Sequence, residues 1–457
     1  MLVQHVIKTR PLKLAVAIAL IFSLPAYAAQ SDKERIAELE KKLERSLAVI
    51  DKLSQRVDQL EAQKTIAAKV SEGDAESRAK MNESVKLATE TSQQQVARID
   101  QLERNLVQVS ELSAKKRELG LPLHGFADVG YVHTSKVIDG RKSGFALGNL
   151  DLYLTPEFGD RIKSLFELTF EFNEKGESVA TDLERLQIGY TFSDALTLWA
   201  GRVHTPYGYW NTAFHHGAQL QPSILRPKMV AFEDQGGILP AHSVGLMASG
   251  ATKVQGGRLE YDFAVANGSR IVGEAGDQVI DYNAGKDDNS NKGLAANVRY
   301  RFSGSLDGLT VGMHALTQQV NQEGTANKTE LNMLGGFLVF DTDDWEIISE
   351  YYKFRNKDLS GNTGTHNSWA GFLHAGYRFN DLIQPYARLE KASLDQSDNY
   401  FAALRSGRSY NRQILGLRYN LSPISALKFE LGQTNEKQVN GSEFKYNETR
   451  LQFSVRF

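Results

Sequence analysis

The last eleven residues of the chain, 447–457, alternate between apolar and polar side chains. One side carries Leu451, Phe453, Val455 and Phe457, and the other carries Arg450, Gln452, Ser454 and Arg456. Successive side chains of a β-strand point to opposite faces, so this pattern predicts a strand between an apolar and a polar medium. A soluble sheet with a core behind it gives the same alternation. The large aromatic at the final position favours a closed barrel, in which the last strand has a neighbour on each side.

The same period of two predicts sixteen strands from residue 123 onward, most of them about as long as a tilted membrane strand. The third candidate shows it best, with Phe166, Leu168 and Phe170 alternating with Glu167 and Thr169. The candidates lie at 123–134, 145–155, 163–172, 183–192, 196–205, 241–250, 258–267, 293–302, 309–319, 331–340, 345–355, 368–379, 382–391, 410–420, 426–434 and 447–457.

The connections between these strands alternate between short turns and long polar loops. We count seven short turns, such as 193–194 and 380–381, and eight long loops, such as 206–240 and 392–409. An antiparallel meander whose two ends face different compartments has this layout. Aromatic residues cluster beside the short turns, as an interfacial girdle would: Tyr190, Phe192, Tyr300, Phe302, Tyr377, Phe379, Tyr419 and Phe457.

The first 28 residues have the features of a secretory signal peptide. Lys8, Arg10 and Lys13 precede an apolar run over 14–24, and a small-residue pattern ends at Ala28. A membrane anchor would need about 20 apolar residues, and this run is shorter. We therefore expect residues 1–28 to be removed after export.

Residues 29–119 have a different composition, with heptad-spaced apolar residues, one glycine and no proline. Ile36, Leu43 and Ile50 begin the a positions, while Leu39 and Leu53 occupy d positions. This pattern predicts an α-helical coiled coil, and a lone charged helix is the alternative. Isoleucine or valine at a with leucine at d mildly favours two strands, so a two- or three-stranded coil stays open. We expect residues 120–457 to form a separate barrel domain.

Composition excludes several functions. The chain has no cysteine, so it has neither thiolate metal sites nor a cysteine nucleophile. Its formal net charge is −2 at pH 7, which creates no strong attraction for nucleic acid. A mean hydropathy of −0.38 excludes a bundle of membrane helices.

With its signal peptide, its strand count and its alternation of short turns and long loops, the chain resembles the porin superfamily of Gram-negative outer membranes over residues 123–457. With its coiled coil, the chain resembles the branch that contains sucrose porins and dicarboxylate porins. The resemblance implies an all-β, antiparallel transmembrane barrel, a homotrimer in outer-membrane lipid, and a coiled coil in the periplasm. It also implies that the barrel assembly machinery recognises the terminal aromatic residue.

If apolar side chains face lipid, the alternate positions face the lumen, and many of these are basic. A cationic wall raises the local concentration of anions, so we predict a preference for anionic solutes. The alternative is that arginine is simply a common way to fill a polar lumen. The candidate pore-lining residues on the strands are Arg185, Arg299, Arg301, Arg378, Arg388, Arg418 and Lys428. Arg450 and Arg456 join this wall, and Glu167, Glu171, Glu390 and Glu430 are its inward acidic residues.

The loop 206–240 is rich in apolar and aromatic residues, unlike a solvated external loop. We expect it to fold into the barrel and narrow the pore, as the third long loop of porins does. The alternative is that it packs against a neighbouring protomer. Arg226, Lys228, Glu233 and Asp234 are then constriction candidates, with a transverse field between the acidic pair and the basic wall.

Other chemistry has little support in the sequence. His204, His215, His216 and His242 lack the spacing of a metal site, and we predict no metal and no cofactor. No Ser/His/Asp arrangement indicates an enzyme, and 268–285 is interpreted as a flexible external loop. The leading function is passive diffusion of small hydrophilic solutes. A structural tether to peptidoglycan is the alternative, and an outer-membrane hydrolase is the third.

Overall fold

The computed structural model describes residues 123–138, 141–156, 158–172, 179–214, 217–233, 235–281, 290–361, 363–438 and 440–457. The predicted signal peptide and coiled coil lie outside these residues, and so do His215, His216 and Asp234.

The described residues form strands with a few short helical turns. Two helices are present, α1 (Trp210–Ala213) and α2 (Asn399–Ala403), with 3₁₀ turns at Lys228–Val230 and Gly304–Leu306. None of the helices in the described ranges is long and apolar enough to cross a membrane. The strands are β1 (Leu123–Ile138), β2 (Arg141–Leu154), β3 (Ile162–Phe172), β4 (Val179–Ser193), β5 (Leu196–His204), β6 (His242–Val254), β7 (Gly257–Asn267), β8 (Arg270–Val272), β9 (Val279–Ile280), β10 (Lys292–Phe302), β11 (Leu309–Gln322), β12 (Lys328–Asp341), β13 (Trp345–Asp358), β14 (Thr365–Tyr377), β15 (Ile383–Ser393), β16 (Tyr410–Ser422), β17 (Ser425–Lys437) and β18 (Glu443–Arg456).

Sixteen of these strands close into one antiparallel barrel, as the alternation predicted. Each long strand pairs with the next one along the chain, and β7 pairs directly with β10. The last strand, β18, pairs with β17 through Ala426 and Ser454, and with β1 through Phe126 and Arg456. The prediction that the C-terminal strand closes the barrel is confirmed.

The two faces of the closing strand also agree with the sequence pattern. Leu451 and Phe453 are exposed on the outer face, whereas Gln452 and Ser454 are buried on the inner face. Exposed leucines and aromatic residues cover the outer face of the other strands too, for example Leu246 and Leu415. The barrel therefore presents an apolar outer surface and a more polar interior.

The predicted aromatic girdle lies beside the short turns. Tyr300 and Phe302 at the end of β10 have ring centroids 4.7 Å apart. Tyr377, the last residue of β14, and Phe379, just after it, have ring centroids 4.9 Å apart. Phe379 and Phe457 are among the exposed hydrophobic residues of the chain. Aromatic pairs of this kind form the girdles that flank the apolar band of outer-membrane barrels.

The long loop between β7 and β10 contains structure that the sequence did not reveal. The strands β8 and β9 form a short hairpin, and β8 also pairs in parallel with the end of β11 through Arg270 and Asn321. The interpretation of 268–285 as a flexible loop was therefore wrong for its described part.

Candidate pore and its inner segment

Residues 205–241 connect β5 to β6 and form what we call the inner segment. Its two ends lie side by side, because the Thr205 N–H donates to the Ala241 carbonyl at 2.9 Å. Tyr207 and Trp210 are 0% exposed, and Ile238 is 2% exposed. A segment with this much buried apolar surface packs as part of a core.

One anchor of the inner segment is Glu350, an inward residue of β13. Its carboxylate accepts the backbone N–H of Trp210 at 2.7 Å and that of Tyr209 at 3.1 Å. It also accepts the Tyr352 hydroxyl at 2.5 Å. Three hydrogen bonds converge on this one side chain, so Glu350 fixes the start of α1 to the barrel wall.

Two more wall carboxylates hold the middle of the inner segment in the same way. Glu430 on β17 accepts the backbone N–H groups of Ile224 and Leu225 at 3.0 and 3.2 Å. Glu390 on β15 accepts the backbone N–H of Lys228 at 2.7 Å. These contacts place residues 224–228 against β15 and β17, inside the barrel.

Two of the predicted pore-lining residues are covered by the inner segment. Arg388 donates to the Leu225 carbonyl at 2.7 Å, and Lys428 donates to the carbonyls of Ala218 and Gln221 at 2.5 and 2.7 Å. Both side chains are 0% exposed. Arg388 and Lys428 therefore bind backbone carbonyls and do not line an open lumen. The pore-lining role predicted from strand parity, the alternation of inward and outward side chains along a strand, is corrected for these two residues.

Arg226 bonds within the inner segment itself. Its guanidinium donates to the carbonyls of Val230 and Phe214 at 3.0 Å and lies 3.9 Å from the ring centroid of Phe232. Burial lowers the pKa of Arg226 to about 10, so the group keeps its charge at neutral pH. Arg226 stabilises the fold of the segment.

The remaining candidates of the segment are also engaged. Lys228 forms an ion pair with Glu436 on β17. Glu233 is 2% exposed and accepts the backbone N–H of His242 at 2.9 Å. A transverse field from Glu233 across an open lumen is therefore not present, because the carboxylate is buried beside His242. Asp234 lies outside the described residues.

Several inward arginines are neutralised by neighbouring acids. Arg299 on β10 lies 2.7 Å from both Glu260 and Asp262 on β7. Arg378, just after β14, lies 2.8 Å from Asp341. Their contribution to the field in the lumen is smaller than their charge alone suggests.

Two further candidates are only partly accessible. Arg185 on β4 forms an ion pair with the buried Glu167 on β3 and is 19% exposed. Arg418 on β16 donates to the Gln221 carbonyl at 3.0 Å and to Asn420 at 2.8 Å. Both lie on the inner wall, as strand parity indicated.

Arg301 differs from the other candidates because it is exposed and belongs to a row of three cations. Arg301 is directly opposite Arg258 on β7, and Arg258 is directly opposite Lys253 on β6. All three side chains are exposed, at the end of the strands that carries the short turns. The sequence analysis missed Lys253, because the sixth candidate strand stopped at residue 250. The signal that could have found it is the continued period of two beyond residue 250, which puts Lys253 on the inward face of β6.

The histidines of this region pack beside carboxylates. His242 lies 2.5 Å from Glu184 and 3.3 Å from Glu233, and its ring centroid is 5.6 Å from that of His204. In the described ranges, no group of three or more metal-ligating side chains is assembled.

Two external loops pack over the inner segment. The Arg405 N–H, after α2, donates to the Gln278 carbonyl beside β9 at 2.9 Å. The Tyr400 hydroxyl of α2 donates to the Ile238 carbonyl at 2.7 Å. Asp398 caps α2 by accepting the Tyr400 N–H at 3.0 Å, and burial raises the pKa of Asp398. One apolar cluster joins these loops, the inner segment and the wall: Tyr207, Trp210, Met229, Ile238, Ile271, Leu331, Phe354, Tyr400, Phe401 and Leu404.

Comparison with known proteins was made on sequence and on structure. No family model matches the sequence, and no curated protein matches it. An anion-selective porin from Comamonas acidovorans aligns with a TM-score of 0.52 and 15% identity, over 74% of this chain and 99% of that one. The chain has the fold of Gram-negative outer-membrane porins.

Two more porin-fold neighbours align over the same share of this chain. The outer-membrane channel DcaP of Acinetobacter baumannii gives a TM-score of 0.50 at 10% identity, with 97% of that chain covered. OmpF of Salmonella typhi in complex with daunomycin gives 0.50 at 13% identity, also with 97% covered. At these identities, the likeness establishes the porin fold.

Proposed function

We propose that the protein is an outer-membrane porin for passive diffusion of small hydrophilic solutes. The observation that carries the proposal is the closed sixteen-strand barrel with an apolar outer face and a polar inner one. In such a barrel, the backbone N–H and C=O groups of every strand are hydrogen-bonded inside a bilayer, since closure leaves no unpaired edge. The aromatic girdle beside the short turns supports the same location.

We propose a preference for anions, with the row of Lys253, Arg258 and Arg301 as its main source. These cations face each other across neighbouring strands, where like charges repel unless an anion lies between them. Arg258 also lies 3.4 Å from Glu260, so within the described ranges Lys253 and Arg301 are the members of the row that form no ion pair. Arg299 and Arg378 add little, because Glu260, Asp262 and Asp341 neutralise them. The preference therefore rests on fewer residues than strand parity indicated.

We further propose a homotrimer with a periplasmic coiled coil at residues 29–119. We place the contact between protomers on the outer face of β1 and β2, where Phe145 is 90% exposed, more than any other large hydrophobic residue of the described ranges. Phe457, 58% exposed at the short-turn rim, is the residue that we expect the assembly machinery to recognise. Peptidoglycan is a further expected partner of the coiled coil.

Reconstitution of the full chain into a planar bilayer tests the channel proposal. We expect stepwise conductance in groups of three, with a reversal potential under a salt gradient that indicates anion preference. The absence of any conductance would refute the channel. A cation preference would refute only the role of the basic row.

A second candidate function is a tether whose barrel mainly anchors the coiled coil. The filled interior favours it, because the inner segment covers Arg388 and Lys428 and joins one apolar cluster with the external loops. Deletion of residues 31–119 separates the two functions. Loss of envelope integrity with intact solute uptake would indicate a tether, whereas loss of uptake alone would contradict it.

A further inference from the structure

The outer face of β13 and β15 carries exposed cations above its apolar part. Along β13, Lys353 and Arg355 are exposed, while the intervening Phe354 is 0% exposed and faces inward. On β15, Lys391 is exposed on the same outer side as Leu389, which is 59% exposed. We call Lys353, Arg355 and Lys391 the outer basic patch.

The position of the outer basic patch along the strands matches the edge of the apolar band. Trp345 and Tyr377, with ring centroids 4.9 Å apart, mark the short-turn end of β13 and β14. Lys353 is eight residues from Trp345 and Lys391 eight from Ile383. For strands tilted by about 40°, eight residues rise about 20 Å, close to the height of the apolar band of about 25 Å. The patch therefore lies at the far interface of the proposed membrane.

An aromatic pair marks the same level. Trp369 on β14 is directly opposite Lys353, and its ring stacks on Tyr351 at 6.1 Å. The Lys391 ammonium lies 5.8 Å from the ring centroid of Trp369. Tryptophan and tyrosine are enriched where the apolar core of a membrane meets the headgroups. The cations of the patch thus surround a side chain suited to the headgroup layer.

The three cations lack acidic partners within the described ranges, since none of them forms an ion pair there. Lys357, one step further along β13, is directly opposite Glu330 and is not counted in the patch. At the same level, other strand pairs carry neutral side chains that bond each other: Gln433 with Asn447 at 3.0 Å, and Thr317 with Asn332 at 2.7 Å. At this level, β13 and β15 therefore carry positive charge where these two strand pairs carry neutral side chains.

We propose that the outer basic patch binds the phosphate groups of a phosphorylated membrane lipid whose acyl chains lie against Leu373 and Leu389. Both leucines are exposed directly below the patch. Arg355 offers a two-pronged contact to a phosphate, and the two lysines add point charges. The site goes beyond solute passage, and it rests on the proposed function only for the membrane location.

The test is titration of the full-chain protein in detergent with diphosphoryl lipid A, with bound lipid counted by native mass spectrometry. The variant Lys353→Gln/Arg355→Gln/Lys391→Gln keeps polar side chains at the three positions and removes the charges. Each basic residue near an anionic lipid surface contributes about 1 kcal/mol, so we expect binding about 100-fold weaker. Dephosphorylated lipid A should bind the native protein equally weakly.

The matched control is Lys437→Gln/Lys445→Gln, which removes two exposed cations next to Glu443 on β17 and β18. We expect this control to bind lipid A as the native chain does. Equal affinity of the patch variant, or an equal loss in the control, would overturn the proposal. Conductance in bilayers without lipid A should stay unchanged in the patch variant, so failure of this site and failure of the channel are distinguishable.

Discussion

The carboxylate of Glu350 and the backbone N–H of Trp210 form a 2.7 Å hydrogen bond between residues 140 positions apart in the chain. The contact joins the barrel wall at β13 to α1 of the inner segment. Glu390 and Glu430 make equivalent contacts further along. Three wall carboxylates thus hold one connection inside the barrel, and this arrangement determines how much of the lumen is open.

Glu350→Gln should loosen the inner segment. A glutamine side chain has one acceptor oxygen, so it cannot accept from Trp210, Tyr209 and Tyr352 as the carboxylate does. Leaving a buried donor unpaired costs about 1–3 kcal/mol. We expect a lower unfolding temperature and a larger, noisier single-channel conductance. Glu330→Gln on β12, away from the segment, is the control, and identical behaviour of the two variants would contradict the anchoring role.

Arg301→Glu should shift the reversal potential toward cations without lowering the unfolding temperature, because Arg301 is exposed and makes no ion pair in the described ranges. Arg299→Glu should instead destabilise the barrel, since it would place a third carboxylate beside Glu260 and Asp262. Lys445→Glu, an equal change of charge on β18, is the control for net charge. An Arg301→Glu channel with native selectivity would exclude the basic row as the selectivity element.

The contact between the two external loops should persist during conduction. Gln278 and Leu404 form an isolated β-bridge, which brings their backbones to a distance that a disulfide can span. The chain has no cysteine, so Gln278→Cys/Leu404→Cys introduces a single pair. We expect oxidation and reduction to leave the conductance unchanged. A conductance that rises on reduction would show that these loops open, and either single cysteine variant is the control.

Sequence alternation predicted the barrel well because the bilayer imposes it on every strand. In the closing strand, Leu451 and Phe453 face outward and their polar neighbours Gln452 and Ser454 face inward, so the alternation alone predicted its two faces. Strand ends were less accurate on the long-loop side. The strand predicted at 345–355 extends to Asp358 in the structure. The sequence did not show these last residues, because beyond Phe354 both faces are polar and the period of two disappears.

The interior was harder to predict because its contacts are non-local. Strand parity correctly turned Arg388 and Lys428 inward, yet their cover comes from carbonyls more than 160 residues earlier in the chain. The β8–β9 hairpin has strands of three and two residues, too short to show any alternation. Its pairing with β11 joins Arg270 to Asn321, which lie far apart in the sequence.

Replacing residues 207–239 by a short glycine–serine turn tests most directly whether the inner segment constricts a working pore. The replacement is geometrically allowed, because Thr205 and Ala241 are already hydrogen-bonded at 2.9 Å. In planar bilayers, we predict a small stepwise conductance for the native chain and a several-fold larger one for the variant. Equal conductance of the two proteins, or no conductance from either, would contradict a porin narrowed by its inner segment.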